Sequence, residues 1–232
     1  LGLFSSIYHP VGIPMLVQHA QRPGTTIGVN GLAGNLGIAA AAIVTGALVE
    51  HAGWRAAFAV PGLACLLLGA LFWRVAPRET EPPARRARKA AVALAPGQLT
   101  RVLAVMTLAS ASGGLIFNLT TNGNGQMLAE RVATLAQDPS TLGLVLGAVY
   151  AVASLAQLIV GRLIDRWPLK PLWVAIVLAQ VPMLALAAWA PGWWAWAALI
   201  GAMAFIFGSI PFTDAMIVRY VDDRMRSRVA GL

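Results

Sequence analysis

Charged residues interrupt this chain rarely, and they do so at regular places. Between successive Asp, Glu, Lys and Arg residues lie charge-free runs at 1–21, 23–49, 56–73, 102–129, 139–161 and 171–213. A helix needs roughly 20 apolar residues, within a range of about 17–25, to cross the hydrocarbon core of a bilayer. Each of the first five runs suffices for one such helix. The sixth is long enough for two, and Pro191-Gly192 near its middle reads as the turn between them. The pattern predicts seven spans: 1–17, 27–49, 56–73, 102–119 or somewhat beyond, 141–160, 171–190 and 193–218. The expected fold class is therefore all-α, a polytopic helical membrane protein.

Composition agrees. Of 232 residues, 58% are hydrophobic and 11% charged, against about 25% charged in ordinary soluble domains. That excludes a cytosolic enzyme, a nucleic-acid binder and a disordered linker. The net charge of +8 is a topology signal instead. If loops alternate sides, every Lys and Arg except Arg55 and Arg131 falls on one side. Short cytoplasmic loops are enriched in these residues, so loops 18–26, 74–101, 161–170 and 219–228 are expected to be cytoplasmic, in a cytoplasmic (inner) membrane. Trp54, Trp189, Trp193, Trp194 and Trp196 then mark the outer interface, and Trp73, Trp167 and Trp173 the inner one.

The long segment between the third and fourth spans, rich in Pro and Arg, is the only extended polar linker. It divides the chain into three spans of a first bundle (1–73), a basic cytoplasmic linker (74–101) and four spans of a second bundle (102–232). The bland expectation for this linker is a solvated tether held by anionic lipid. The single Cys65 lies in an apolar run and reads as a buried, inert thiol, with no disulfide framework. Residue 1 is Leu inside an apolar run without a basic flank, so a signal peptide is not expected. The terminal RSRVAGL reads as a loop entering another helix, and the chain is expected to be a fragment of a larger transmembrane protein.

A shift of 203 positions lays Phe4-Ser5-Ser6-Ile7 over Phe207-Gly208-Ser209-Ile210, and Gly24 and Gly28 over Ser227 and Gly231. Such parallel repeats occur in transporters built from two related six-helix halves.

The loop after the fifth span reads Gly161-Arg-Leu163-Ile-Asp165-Arg166-Trp-Pro-Leu-Lys170. It resembles the G-x-L-x-D-R-x-G-R-K signature of the major facilitator superfamily, in its second-half copy between helices eight and nine; Pro168 and Leu169 replace the usual Gly and Arg. Arg226-Ser-Arg228-Val-Ala-Gly231 is similar to the R-G-R-x-x-G that opens helix eleven, and Gly53-Trp54-Arg55-Ala-Ala-Phe58 to the GWR-x-x-F at the start of helix six. The resemblance covers the whole chain. It implies a twelve-helix fold of which the seven spans are helices four to ten. It also implies a secondary transporter moving a small solute by alternating access, with or without protons, monomeric when full length. In that family Gly161, Asp165, Arg166 and Lys170 would form a conformational latch. Tyr8-His9-Pro10 resembles efflux members of the fosmidomycin-resistance type. The second span departs from the drug–proton antiporter form: Ala41-Ala42 and Thr45-Gly46 stand where a Gly-Pro with paired glycines is usual. Its Gly28, Gly31, Gly34 and Gly37 read as a close-packing stripe.

Polar side chains within a bilayer must face protein or water. Asn118, Thr121, Asn122 and Gln126 fall at i, i+3, i+4 and i+8 of the fourth span, and Tyr150, Ser154 and Gln157 at i, i+4 and i+7 of the fifth. Both stripes suit a solute cavity, or alternatively plain interhelical hydrogen bonding. Gly123 and Gly125 predict a broken helix near the outer end, and Pro14 and Pro211 predict kinks. His9 lies eight residues from Val17, about 12 Å at 1.5 Å per residue, near mid-membrane. It could relay a proton or hold an anionic group, or serve as a structural donor. Asp214 is a second proton-coupling candidate, or a latch to Arg219 or Arg224.

The competing classes fare worse. A retinal protein needs an intramembrane lysine, but Lys89 and Lys170 both fall in loops. No Ser–His pair at usable spacing, no H-E-x-x-H, no G-x-G-D and no P-loop is present, so no enzyme, metal site or cofactor is expected. A non-transporting seven-helix membrane subunit or receptor is the remaining alternative. The predicted partners are a small-molecule solute, with or without protons, and the lipid bilayer, with no nucleic acid.

Overall fold

A computed structural model describes residues 8–17, 20–76 and 97–221. Among these residues seven α-helices follow one another: α1 (Tyr8–Val17), α2 (Pro23–Ala52), α3 (Ala56–Val75), α4 (Gln98–Arg131), α5 (Pro139–Ile164), α6 (Leu169–Trp189) and α7 (Trp193–Tyr220), with one 3-10 turn at Ala133–Gln137. Helices α2 to α7 are each long and apolar enough to cross a membrane. Without water in the hydrocarbon core, every backbone N–H and C=O must be satisfied within its own helix, which makes long uninterrupted helices the only solution here. Residues 1–7 of the first predicted span, most of the 74–101 linker and 222–232 lie outside the described residues. So do Phe4-Ser5-Ser6-Ile7, Ser227 and Gly231 of the repeat, and the segment resembling the start of helix eleven.

The helices run past the predicted spans, because flanking polar residues extend a helix without being apolar. The largest extension is α4, which continues to Arg131. It also corrects the expected break: α4 is continuous through Gly123 and Gly125. Its backbone carbonyls there take side-chain donors as well, with Thr121 Oγ1 bonding Phe117 O at 2.6 Å and Asn122 Nδ2 bonding Asn118 O at 2.8 Å. Two tight turns rest on glycine conformations that other residues rarely adopt. Gly53 (φ 81°) ends α2 ahead of α3, and Gly192 (φ 51°) turns α6 into α7.

Helices α2 and α5 lie antiparallel and touch along nearly their whole length, and α5 and α6 both pack on α7. Helix α7 is the most deeply covered. It buries Leu199, Met203, Ile206, Phe207 and Phe212, and Phe207 stacks against both Tyr150 and Phe117 with ring centroids 5.9 Å apart. Polar ties cross the apolar contacts: Trp196 Nε1 donates to Val145 O at 3.1 Å, and Gln180 Nε2 to Phe205 O at 3.2 Å. Trp196 is thus turned inward, unlike the exposed Trp189 and Trp194.

Among the described residues helix α3 buries none of its side chains and packs chiefly on α2. Cys65, expected to be buried, is exposed on it, because an all-apolar helix needs no protein cover on its lipid side. The two basic residues on the sparsely charged side have local partners. Arg55 lies 4.7 Å over the Trp54 ring. Arg131, ending α4, donates from Nη1 to Ala190 O at 3.0 Å and from Nη2 to Ala188 O, so it caps the carboxyl end of α6.

Candidate functional site

The α2–α5 seam is built on small residues. A Cβ on Gly24 would stand 2.6 Å from Gly161 O, and one on Gly28 would stand 2.5 Å from Gln157 O and 3.0 Å from Gly161 Cα. At the other end of the pair Gly143 would meet Ala42 O at 2.6 Å, and Gly147 would meet Ile43 Cγ1 at 2.5 Å. Only glycine permits this backbone approach, the device that brings helices together where lipid removes the hydrophobic drive. Gly28 and Gly31 face the seam. Gly34 and Gly37 have nothing within 4 Å of where a Cβ would be, so the packing stripe does not run through them. The seam instead follows 24, 28, 31, 35, 39, 42 and 46, a spacing of three or four that stays on one helical face.

Both ends of the seam carry a carboxylate cap. Asp165, just after α5, accepts from Gly24 N at 2.8 Å, Thr25 N at 2.7 Å and Thr25 Oγ1 at 2.6 Å, at the amino terminus of α2. Glu50, in the last turn of α2, accepts from Ser140 N at 3.1 Å, at the amino terminus of α5. Each helix therefore meets its partner's positive end with a negative charge, and satisfies donors that have no intrahelical acceptor. Asp138 caps α5 locally, accepting from Thr141 N at 3.1 Å and from Thr141 Oγ1. These bonds hold its carboxyl below the ordinary value, the Thr141 hydroxyl contributing most. Of the other residues in the signature, Gly161 lies in the seam, while Arg166 and Lys170 are exposed.

A polar cluster is sealed midway along the seam. Tyr150, Ser154 and Gln157 of α5 are 2%, 0% and 1% exposed, and Asn35 of α2 and Asn124 of α4 are also buried. The Tyr150 hydroxyl donates to Thr121 O at 3.1 Å and accepts from Asn124 Nδ2 at 3.3 Å. Ser154 Oγ donates to Tyr150 O at 2.5 Å. Asn124 Nδ2 also reaches Met203 Sδ at 3.3 Å. By contrast, neither amide atom of Gln157, nor Asn35 Nδ2, finds a hydrogen-bond partner among the described residues. The Gln157 amide lies against the bare Cα of Gly31, and the antiparallel register sets Asn35 opposite 150–154.

The two predicted stripes do not form one site. Tyr150, Ser154 and Gln157 belong to the cluster, and Thr121 touches it through its carbonyl. Asn118, Asn122 and Gln126 are exposed on the other side of α4, with Gln126 bonded to Glu130 at 2.9 Å and Asn122 to Asn118 Oδ1 at 3.0 Å. The buried face of α4 is instead Asn124 and Leu128, beside half-buried Phe117 and Thr121. Asn35 and Asn124 join the cluster from outside both polar stripes. Asn35 continues the Gly28–Gly31 spacing, and Asn124 follows Thr121 by three, which are the only signals that single them out.

His9 falls within α1, but its side chain lies outside the described residues, as does Arg224; Asp214 is half-buried near the end of α7. Helix α7 is continuous through buried Pro211. Among the described residues no three His, Cys, Asp or Glu side chains gather as metal ligands.

No curated relative and no solved structure matches the chain. A family model does: the Major Facilitator Superfamily matches residues 1–232, the entire sequence. A polytopic all-helical chain with a glycine-packed seam and a buried polar cluster fits that match, and the chain belongs to the major facilitator superfamily of membrane transporters.

Proposed function

We propose that this transporter moves a small solute by alternating access, and that the α2–α5 seam is the surface that opens and closes. In this reading α2 belongs to the first half-bundle and α5 to the second, and the basic end of the seam faces the cytoplasm. The observation that supports it is the Gln157 amide, sealed between two helices and unpartnered. A buried amide without partners costs about 1–3 kcal/mol relative to one that is satisfied. A permanently closed seam would be better served by an apolar side chain of the same shape. A seam that opens exposes Gln157 and Asn35 to water or solute, and there the amides have partners.

The chemistry of the cluster, with amides, a phenol and a hydroxyl, suits a neutral or singly anionic solute. The exposed Asn118, Asn122 and Gln126 make a second polar face on α4, apart from this cluster and open to a solute, and His9 and Asp214 are the candidate groups for carrying a proton if transport is coupled to one. Efflux is the direction the Tyr8-His9-Pro10 resemblance favours.

Accessibility tests this without knowing the solute. In the full chain with Cys65→Ser, a single Asn35→Cys probe is treated with a membrane-impermeant maleimide, in right-side-out and in inverted vesicles. Alternating access gives labelling from both sides. Protection from both, with a labelled control at an exposed position beside the seam end such as Gln21→Cys, would mean a static helix pair.

A further inference from the structure

The amino terminus of α2 and the carboxyl end of α5 enclose a cavity of about 440 Å³ at the basic end of the molecule, lined by Gln21, Arg22, Pro23, Thr25, Arg162, Asp165 and Arg166. Its charge is unbalanced. Three arginines and one aspartate line it, and the aspartate carboxylate already accepts from the Gly24 and Thr25 backbone N–H groups and the Thr25 hydroxyl. Arg162 makes one long bond, 3.4 Å, to the carbonyl of Leu158 on its own helix. Arg22 precedes α2 without a side-chain capping bond. The cavity therefore holds a net surplus of positive charge beside fork-shaped donors matched to phosphate oxygens.

Its level in the molecule narrows the source of such a phosphate. The cavity opens at the ends of two membrane-crossing helices, and Trp167, next in sequence to Arg166, is 59% exposed there. Exposed tryptophan at a helix end marks the headgroup layer, and basic pockets between transmembrane helices at that level suit acidic headgroups. We infer that this cavity binds a phosphate group, that of an anionic phospholipid, bridged by Arg22 from the α2 side and Arg162 and Arg166 from the α5 side. A lipid so held ties the two helices together where Asp165 already caps one with the other, and favours the closed basic end.

The test uses the full chain, delipidated in a neutral detergent, with titrated phosphatidylglycerol read by native mass spectrometry and by the melting temperature. Phosphatidylglycerol should be retained and should raise the melting temperature, whereas phosphatidylcholine and inorganic phosphate should not. Each arginine replaced by Gln should weaken phosphatidylglycerol binding about tenfold, the loss of one charge-assisted contact. Arg74→Gln, outside the cavity, should leave it unchanged. Equal binding by Arg162→Gln/Arg166→Gln would overturn the proposal, and an equal effect of inorganic phosphate would identify a free-anion site instead. Should the double variant fail to fold, Arg22→Gln carries the same prediction, because Arg22 makes no side-chain bond that caps α2.

Discussion

Gly28 of α2 and Gly161 of α5 stand back to back, each with its Cα 3.0 Å from where a Cβ on the other would be. The backbones there are in direct contact, and the contact recurs five turns away between Gly46 and Gly143, where the same separation is 3.2 Å. Gly161→Val must therefore push the helices apart, at about 1–3 kcal/mol for an overpacked site. Gly34→Ala, with open space around its Cβ, should be neutral or gain up to about 1 kcal/mol from helix propensity. Thermal unfolding in detergent separates the two; equal destabilisation by both would mean the seam runs elsewhere.

Arg131 links two helix ends that are far apart in sequence. Its two bonds to Ala188 and Ala190 carbonyls neutralise the negative end of α6 from the end of α4. Arg131→Ala should cost about 1 kcal/mol, the low end for a charged donor because the side chain is solvent-exposed. Arg131→Lys should recover only part, since an ammonium cannot reproduce the paired fork. A melt of both variants checks this, and full recovery by Lys would reduce the contact to charge alone.

Much of this fold could be read from where charge is absent, and the site only in part. Span positions follow from solvation, since a charge at mid-bilayer is costly whatever the helix packs against. Helix ends did not follow, because Asn118 to Glu130 is polar enough to end a hydrophobic run yet still helical. Which face of α4 is buried also escaped: an i, i+4, i+8 spacing groups Asn118, Asn122 and Gln126, but the side that meets α5 and α7 is set by partners such as Tyr150 and Met203. The Gly34–Gly37 assignment failed for the same reason. A glycine is useful for packing only opposite another backbone, and Gly161 lies too far along the chain for a local pattern to reveal the pairing.

The α5 cap makes stability depend on acid. Asp138 has a folded value below that of the unfolded chain, held down by the Thr141 hydroxyl first and then by the Thr141 backbone N–H. A depressed carboxylate contributes stability above its unfolded value and loses it as pH falls through the folded one. The melting temperature should thus be flat with respect to this group near neutrality and fall on acidification below the ordinary aspartate range. Asp138→Asn should lower the neutral melting temperature and flatten part of that acid slope. An unchanged acid slope in the variant would assign the effect to other carboxylates.

Gln157 offers the sharpest separation of stability from function. Its amide is 1% exposed and unpartnered, pressed on Gly31. Gln157→Met keeps the length and lack of branching, removes two unsatisfied polar atoms, and should leave the closed protein equal in stability or more stable by about 1–3 kcal/mol. If the amide serves the open state, the same change should reduce Asn35→Cys labelling from both sides, because the closed seam now loses more on opening. A variant that melts higher and labels less fits a gate. One that melts lower would mean the amide has a partner in the closed state, and the reading of the seam as a gate would lose its support.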